Sequence, residues 1–299
     1  MSRIIVLEGA DASGKSTLAK KLVEAFNGEY VKFSQPVKPP YEEYLHFLLN
    51  HDQSKTYILD RFMYGELVYG PIFRGAAGFS MLDLNYLEMV LMRFNHIVIH
   101  CQVDLSHNLK KLSERGDDFV KLNQVEDIRL RYKAVFDHAL IEQFIYDWTK
   151  THDENFIGVI RGSLMYQESR RSSLIDQFPQ GTYVGTSHPN YVFVGDEKNK
   201  RLKDRPVFDS TSGRYLLSVL IELGIAEQTA LVNSLDKSHG RLTSYILNQL
   251  KAKRIICLGE NAYSRISYGF KIRHPQYAKR FYGKNHRQLY LNEIKEAIS

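Results

Sequence analysis

The stretch "RIIVLEGADASGKSTLAKKL", residues 3–22, sets an apolar run, a glycine-rich turn and an amphipathic helix in immediate succession. A short continuous apolar run is how a strand buried on both faces of a parallel sheet reads. Leu18, Leu22 and Ala25 then share one face of the helix that follows. Between them Gly9, Gly14, Lys15 and Ser16 satisfy the spacing G-x-x-x-x-G-K-[ST]. In a strand–loop–helix setting this spacing makes a phosphate cradle. Glycines let successive amides turn inward without a clash at Cβ, and the helix amino terminus adds positive potential. The expected ATP-binding segment is Gly9, Ala10, Asp11, Ala12, Ser13, Gly14, Lys15, Ser16 and Thr17, with Lys15 on the β- and γ-phosphates and Ser16 on Mg²⁺. GTPases, motor ATPases and small-molecule kinases all use such a loop, so the spacing leaves the reaction open.

The pattern continues along the first half. "EYVKF", "TYILDR", "HIVIHC" and "FIGVIR" read as further strands separated by helical or loop segments. The longest helical candidate runs from Val125 to Trp148, with Ile128, Tyr132, Val135, Ala139 and Ile141 near helical spacing. Strand–helix alternation predicts an α/β fold, a three-layer α/β/α parallel sheet. From Gly162 to Asn190 the pattern weakens into polar sequence with two prolines and several glycines, which places a boundary near residue 178. Alternation restarts with "NYVFVGD", a helix through "SGRYLLSVLIELG", "ALVNSL", a helix through "TSYILNQLKA", "RIICLG" and a terminal helix through "YLNEIKEAI". The expected organisation is a P-loop domain over 1–177 and a second, smaller α/β domain over 178–299.

Acceptor and lid residues separate kinases from the other loop users. "YILDRF" ends a strand with Asp60 and Arg61, where a carboxylate can order Mg²⁺ or the acceptor and a guanidinium can grip a phosphate through two hydrogen bonds. "KKLSERGDDFVKL" offers Arg115 and Lys121 around a glycine and two aspartates, as a basic segment able to close over a transferred phosphoryl group. On "EGADASGKST", "LDRF" and "ERGDDFV…RYKAVFD", residues 1–176 resemble the thymidylate kinase family of nucleoside monophosphate kinases. The resemblance implies ATP and Mg²⁺ at Lys15 and Ser16 and Asp11 near the acceptor's sugar, and Asp60 and Arg61 match the family's Asp-Arg pair; the expected metal-side oxygens are those of Ser16 and Asp60. It makes Lys15, Asp60, Arg61 and Arg115 the catalytic set. Asp11, Arg61, Tyr69 and Arg74 become acceptor-binding residues, Arg74 for the phosphate and Tyr69 for the base. The chain departs from the family at Ala12, where arginine is common, and at Ser34 and Gln35, where an Arg-Glu-Pro type motif is common.

In the second half, polar groups follow the expected strands: Gly195 and Asp196, Asn233, Glu260, and then His274 in "RHPQY". Ligands bind outside the carboxyl ends of strands in open α/β sheets, so these residues are expected in one crevice. "FVGDEKN", "RPVFDSTSGRYLLSVLIELGI", "ALVNSL", "ICLGENA" and "RHPQY" resemble the uracil-DNA glycosylase superfamily over residues 190–299. That resemblance implies a base-flipping pocket with Asp196 directing water and His274 stabilising charge near the base. "GDEKN" lacks the Pro-Gly usual there, and the cluster-binding cysteines of some branches are absent.

Three readings follow. The first is Mg²⁺- and ATP-dependent phosphoryl transfer to a deoxynucleoside monophosphate, with a glycosylase-like base-binding domain attached. The second is a kinase acting on a hydroxymethylated base in DNA, such as 5-hydroxymethyluracil. The third is a uracil-DNA glycosylase or nucleic-acid-binding module with a regulatory P-loop domain. The formal charge of +6 and the pI of about 9.0 fit nucleotide or DNA partners in all three. The family of the first half also suggests a homodimer. Cys101 and Cys257 each end an apolar run and are expected as buried thiols. With no signal-peptide pattern at the amino terminus and no bilayer-length apolar run, the expected setting is cytoplasmic, without a membrane partner.

Overall fold

A computed structural model describes residues 2–33, 39–115, 120–170, 182–197, 205–235 and 242–299. Ser34, Gln35, the lid residues 116–119 and the expected boundary near 178 lie outside the described residues. The chain divides into two compact units. One comprises Met1–Leu87 and Phe94–Ser169, the other Glu88–Arg93 and Arg170–Ser299.

The first unit contains β1 (Arg3–Glu8), α1 (Lys15–Phe26), β2 (Glu29–Lys32), α2 (Pro40–Asn50), β3 (Thr56–Asp60) and α3 (Met63–Arg74). There follow α4 (Met81–Leu91), β4 (Asn95–Cys101), α5 (Leu105–Arg115), α6 (Val125–Phe136), β5 (Gln143–Tyr146) and α7 (Asp153–Arg170), with α4 from Glu88 onward and Arg170 of α7 counted in the second unit. Its sheet has the order β2-β3-β1-β4-β5, and every pairing is parallel. β1 is central, and Ile4, Ile5, Val6 and Leu7 are fully buried, as a strand covered on both faces requires. Ile5 and Leu7 face a core with Leu18 and Leu22 of α1 and Phe156, Ile160 and Leu164 of α7. On the opposite face Glu8 meets Tyr132 of α6 and the start of α3. The chain crosses from β3 over β1 to β4, so the loops after β1 and β4 diverge. That divergence opens a crevice at the carboxyl ends of the strands.

Two sequence expectations are corrected. "FIGVIR" lies within α7 and is not a strand. Its buried residues Phe156, Ile160 and Leu164 recur every four positions, while Val159 between them is 55% exposed; the local apolar run conceals an amphipathic helix. The helix expected over Val125–Trp148 ends at Phe136, and "QFIY" forms the fifth strand instead. As an edge strand with Ile145 half exposed, it carries too few apolar residues to stand out from the helix before it.

The second unit contains β6 (Tyr183–Gly185), β7 (Tyr191–Glu197), α8 (Thr211–Glu222), β8 (Thr229–Leu235), α9 (Leu242–Leu250), β9 (Arg254–Leu258), α10 (Glu260–Ile266), β10 (Phe270–Ile272), α11 (Pro275–Phe281) and α12 (His286–Ile298). The sheet order is β10-β9-β7-β8-β6. Four strands are parallel, and β6 runs antiparallel along β8 at one edge. Val192, Val194, Ala230, Val232 and Cys257 share a core with Ile246, Leu247 and Leu250 of α9. The short elements β6, β10, α10 and α11 were not anticipated, because three to seven residues give too little periodicity to read. Cys101 and Cys257 are both buried free thiols. No helix among the described residues is long and apolar enough to cross a membrane.

Candidate functional site

The loop between β1 and α1 is held open by backbone conformations that few residues accept. Gly14 caps α1 with φ 92° and ψ 0°, and Gly9 has φ 143°. A Cβ at Gly9 would collide with the carbonyl of Cys101 on β4, and one at Gly14 would stand 2.7 Å from Cδ1 of Trp148. Trp148, the only tryptophan in the chain, therefore backs the phosphate loop at the entry to α1. No side chain among the described residues caps the start of α1, which leaves its first amides available to an anion. Gly14→Ala is expected to cost about 1–3 kcal/mol of stability and to weaken nucleotide binding at least tenfold. Urea midpoints and nucleotide titrations check both, and an unchanged affinity would contradict the geometry.

Lys15 is 6% exposed and donates from Nζ to the carbonyls of Gly9 and Ala10, both at 2.7 Å. Burial, followed by the nearby charge of Arg61, holds its ammonium below the ordinary lysine range. Beside it the Ser16 hydroxyl donates to Asp60 Oδ2 at 3.3 Å, and the Tyr30 hydroxyl donates to the same oxygen at 2.7 Å. Asp60 ends β3, pairs in register with Leu7 and is 2% exposed.

Arg61 has φ 61°, a strained conformation for a long side chain, costing about 1–3 kcal/mol and concentrated at functional sites. Its amide donates to Leu7 O at 2.9 Å, and its guanidinium pairs with Asp11 while lying 4.6 Å from the Tyr69 ring centroid. Tyr69 in turn donates to Asp11 Oδ2 at 2.9 Å. Burial pushes the Asp11 carboxyl up, but the charges of Arg61 and Lys15 and the Tyr69 hydroxyl outweigh it and hold the group below the usual range.

Asp11 through Thr17, Asp60, Arg61 and Arg115 line one cavity of about 120 Å³. Sequence reasoning thus named most of this wall. It missed Lys32, which enters from the end of β2; nothing in "EYVKF" distinguishes a cavity lysine from a surface one. Tyr69 reaches the cluster through Asp11 and is itself buried. Arg74 is turned onto the carboxylate of Glu66, which also accepts from the Gly78 amide at 2.8 Å; neither Tyr69 nor Arg74 forms part of the 120 Å³ wall. Asn108 of α5 was also missed: 1% exposed, it donates to the Asp11 carbonyl at 2.9 Å.

On β4, His100 is packed against Phe136 with ring centroids 4.6 Å apart. Burial, then the charges of Lys15 and Arg129, pushes its pKa down from 6.5 to about 4. A neutral folded imidazole gives stability that is complete above the unfolded value near 6.5 and is lost as pH falls toward 4. The expected loss is about 2 kcal/mol by pH 5. Thermal midpoints of the parent and of His100→Gln between pH 7 and 5 check this. Equal pH slopes would refute the assignment.

In the second unit, Gly195 and Asp196 of β7, Asn233 of β8, Glu260 after β9 and His274 at the cap of α11 line one crevice of about 1240 Å³. All five were expected there, because each follows or closes a parallel strand. Its carboxylates are paired. Asp196 accepts from Arg265 at 2.5 Å and from Asn261 at 2.8 Å, Glu260 pairs with Lys271 at 2.6 Å, and Asp209 pairs with Arg205 and Arg214. His274 Nδ1 accepts from the Gln276 amide at 3.2 Å, which leaves Nε2 as the proton-bearing nitrogen of the neutral ring. Burial holds its pKa below the ordinary histidine value.

No known family profile matches the chain. In sequence it is similar to the SPbeta prophage-derived protein YorR of Bacillus subtilis, 29% identical over 147 residues, covering 48% of this chain and 88% of YorR. It is also similar to a probable thymidylate kinase of Methanococcus aeolicus, 22% identical over 170 residues, covering 48% of this chain and 83% of that protein. About half of the chain has the P-loop nucleotide-kinase fold. Among solved structures, YorR in complex with phosphorylated GDP aligns at a TM-score of 0.49 and 23% identity, covering 56% of this chain and 99% of that one. Deoxyadenosine kinase from M. mycoides with bound dCTP aligns at 0.37 and 19% identity, covering 55% and 99%.

Proposed function

We propose that the first unit transfers the γ-phosphoryl group of ATP, with Mg²⁺, to a deoxynucleoside monophosphate. The observation that carries this reading is the cavity at the start of α1, where Lys15, Arg61 and Arg115 meet Asp11 and Asp60 among free loop amides. The similarity to a probable thymidylate kinase supports a nucleotide acceptor. Ser16 and Asp60 supply the hard oxygens that Mg²⁺ prefers, 3.3 Å apart at the helix mouth, so the residues fit the ion. When bound, magnesium neutralises charge on the phosphate oxygens. Lys15 leaves its carbonyl partners to grip the phosphate tail, and the first amides of α1 hold the same oxygens. Arg61, braced by Asp11 and the Tyr69 ring, orients the acceptor phosphate, and Arg115 closes over the transferring group. Little covalent work falls to the protein, so positioning and fixed charge set the rate.

For residues 178–299, which fall within the second unit, we propose a uracil-DNA glycosylase-like pocket that binds a base or nucleotide without cleaving it. Asp196 would have to shed Arg265 and Asn261 before it could direct water, which favours binding over hydrolysis. Labelled ATP offered with dTMP, the other deoxynucleoside monophosphates, and plain or hydroxymethylated DNA tests both halves of the proposal. Label is expected on a free monophosphate, with no abasic sites formed in uracil-containing DNA. Label entering DNA alone would replace the monophosphate reading with a DNA-modifying kinase, and abasic sites would overturn the non-cleaving pocket.

A further inference from the structure

On the β4–β5 side of the first unit lies a second cavity, of about 430 Å³, that the phosphoryl-transfer scheme does not use. Its volume falls in the range of small-molecule sites, about 300–1,000 Å³. Ala10 of the phosphate loop, Asn108 of α5 and Arg129 of α6 line it, together with the His100 and Phe136 rings. Leu130 and Ile145, 60% and 50% exposed, give it an apolar mouth.

Its charge is unbalanced at one point. Lys133 is neutralised by Asp137 at 2.7 Å, and Glu126 lies at the exposed rim. Arg129 makes a single hydrogen bond, from Nη1 to Asn108 Oδ1 at 3.2 Å, and no ion pair among the described residues. Among the described residues most of this guanidinium's five donors are therefore left available on the wall of a cavity that also offers ring faces. Through Asn108, whose amide donates to the Asp11 carbonyl at 2.9 Å, the same arginine is joined to the phosphate loop.

We propose that this cavity is a second binding site, for a small planar anion consisting of an aromatic ring with one phosphate or carboxylate, and that its occupancy alters nucleotide affinity at the phosphate loop. The ring lies among His100, Phe136 and the apolar mouth, and the anion meets Arg129. An anion that takes Arg129 changes its bond to Asn108, and with it the brace on Asp11. Linkage requires the reciprocal effect, so nucleotide at the loop shifts affinity for the planar anion by the same factor.

Phenyl phosphate and benzoate are suitable probes, with inorganic phosphate as the control, titrated calorimetrically into the full chain and into Lys15→Ala, Arg129→Gln and Arg129→Lys. Phenyl phosphate is expected to bind one site per chain, with Lys15→Ala unchanged and Arg129→Gln at least tenfold weaker. Arg129→Lys keeps the charge but loses the fork and should fall between them, which covers the case in which Arg129→Gln does not fold. Tighter benzoate than phenyl phosphate would assign the site to carboxylates, and the reverse to phosphates. Saturating phenyl phosphate should also shift Mg-ADP affinity several-fold, read through Trp148 emission, in the parent and not in Arg129→Gln. Binding equal to that of inorganic phosphate, binding lost in Lys15→Ala, or binding indifferent to Arg129 would overturn the site; an unmoved Mg-ADP affinity would overturn the coupling. None of these readouts depends on kinase turnover, so failure here and failure of the proposed activity are distinguishable.

Discussion

Lys15→Ala is expected to lower phosphoryl transfer by about 10²–10³, the usual consequence of removing one fixed donor from a transition-state cradle. The fold should survive the change. Among the described residues Lys15 donates to two loop carbonyls and weakly to the Ser13 hydroxyl, and burial already disfavours its charge, so truncation removes an ammonium that is costly to keep buried. The loss should therefore appear in kcat and nucleotide affinity, with little change in the urea midpoint. Single-turnover transfer from labelled ATP, run beside urea denaturation, separates the two. Full turnover in Lys15→Ala would remove the lysine from the mechanism.

The largest stability effect is expected at Glu8, a carboxylate that sequence reading left unremarked. It is fully buried. Its Oε1 accepts from the Phe62 amide at 2.7 Å and the Gly65 amide at 3.2 Å, and its Oε2 accepts from the Tyr132 hydroxyl at 2.9 Å. These bonds tie β1 to the first turn of α3 and to α6, and so hold Asp60 and Arg61 at their angle to the phosphate loop. Glu8→Ala would strand three buried donors and should cost about 3–5 kcal/mol. Glu8→Gln keeps an oxygen for the two amides. Burial also pushes the Glu8 pKa up, so the neutral amide imitates a form the site favours, and the cost should be nearer about 1 kcal/mol. Equal urea midpoints for the two variants would show that the carboxylate is not the tie described.

Much of the phosphate site was legible because its chemistry is local. Gly9, Gly14, Lys15 and Ser16 lie within eight residues, and Asp60 and Arg61 end a strand whose apolar run is plain. The convergence of Gly195, Asp196, Asn233, Glu260 and His274 was legible for a related reason, since parallel strands bring their carboxyl ends to one edge. Contacts across the chain were not legible. The tie from Glu8 to Tyr132, the packing of Trp148 on Gly14 and the bond from Asn108 to the Asp11 carbonyl join residues separated by 124, 134 and 97 positions, and no periodicity encodes them. "FIGVIR" misled because four apolar side chains around a glycine fit a buried strand as well as one side of a helix, and only the burial of every fourth residue decides between them.

The central claim is that the mouth of α1 binds a magnesium nucleotide. Isothermal titration of a non-hydrolysable ATP analogue into the full chain, with magnesium and with the metal chelated, tests it most directly. One saturable site per chain is expected, weakened at least tenfold without magnesium and abolished in Gly14→Ala together with Lys15→Ala. Absence of saturable binding, or binding that these substitutions leave intact, would contradict it.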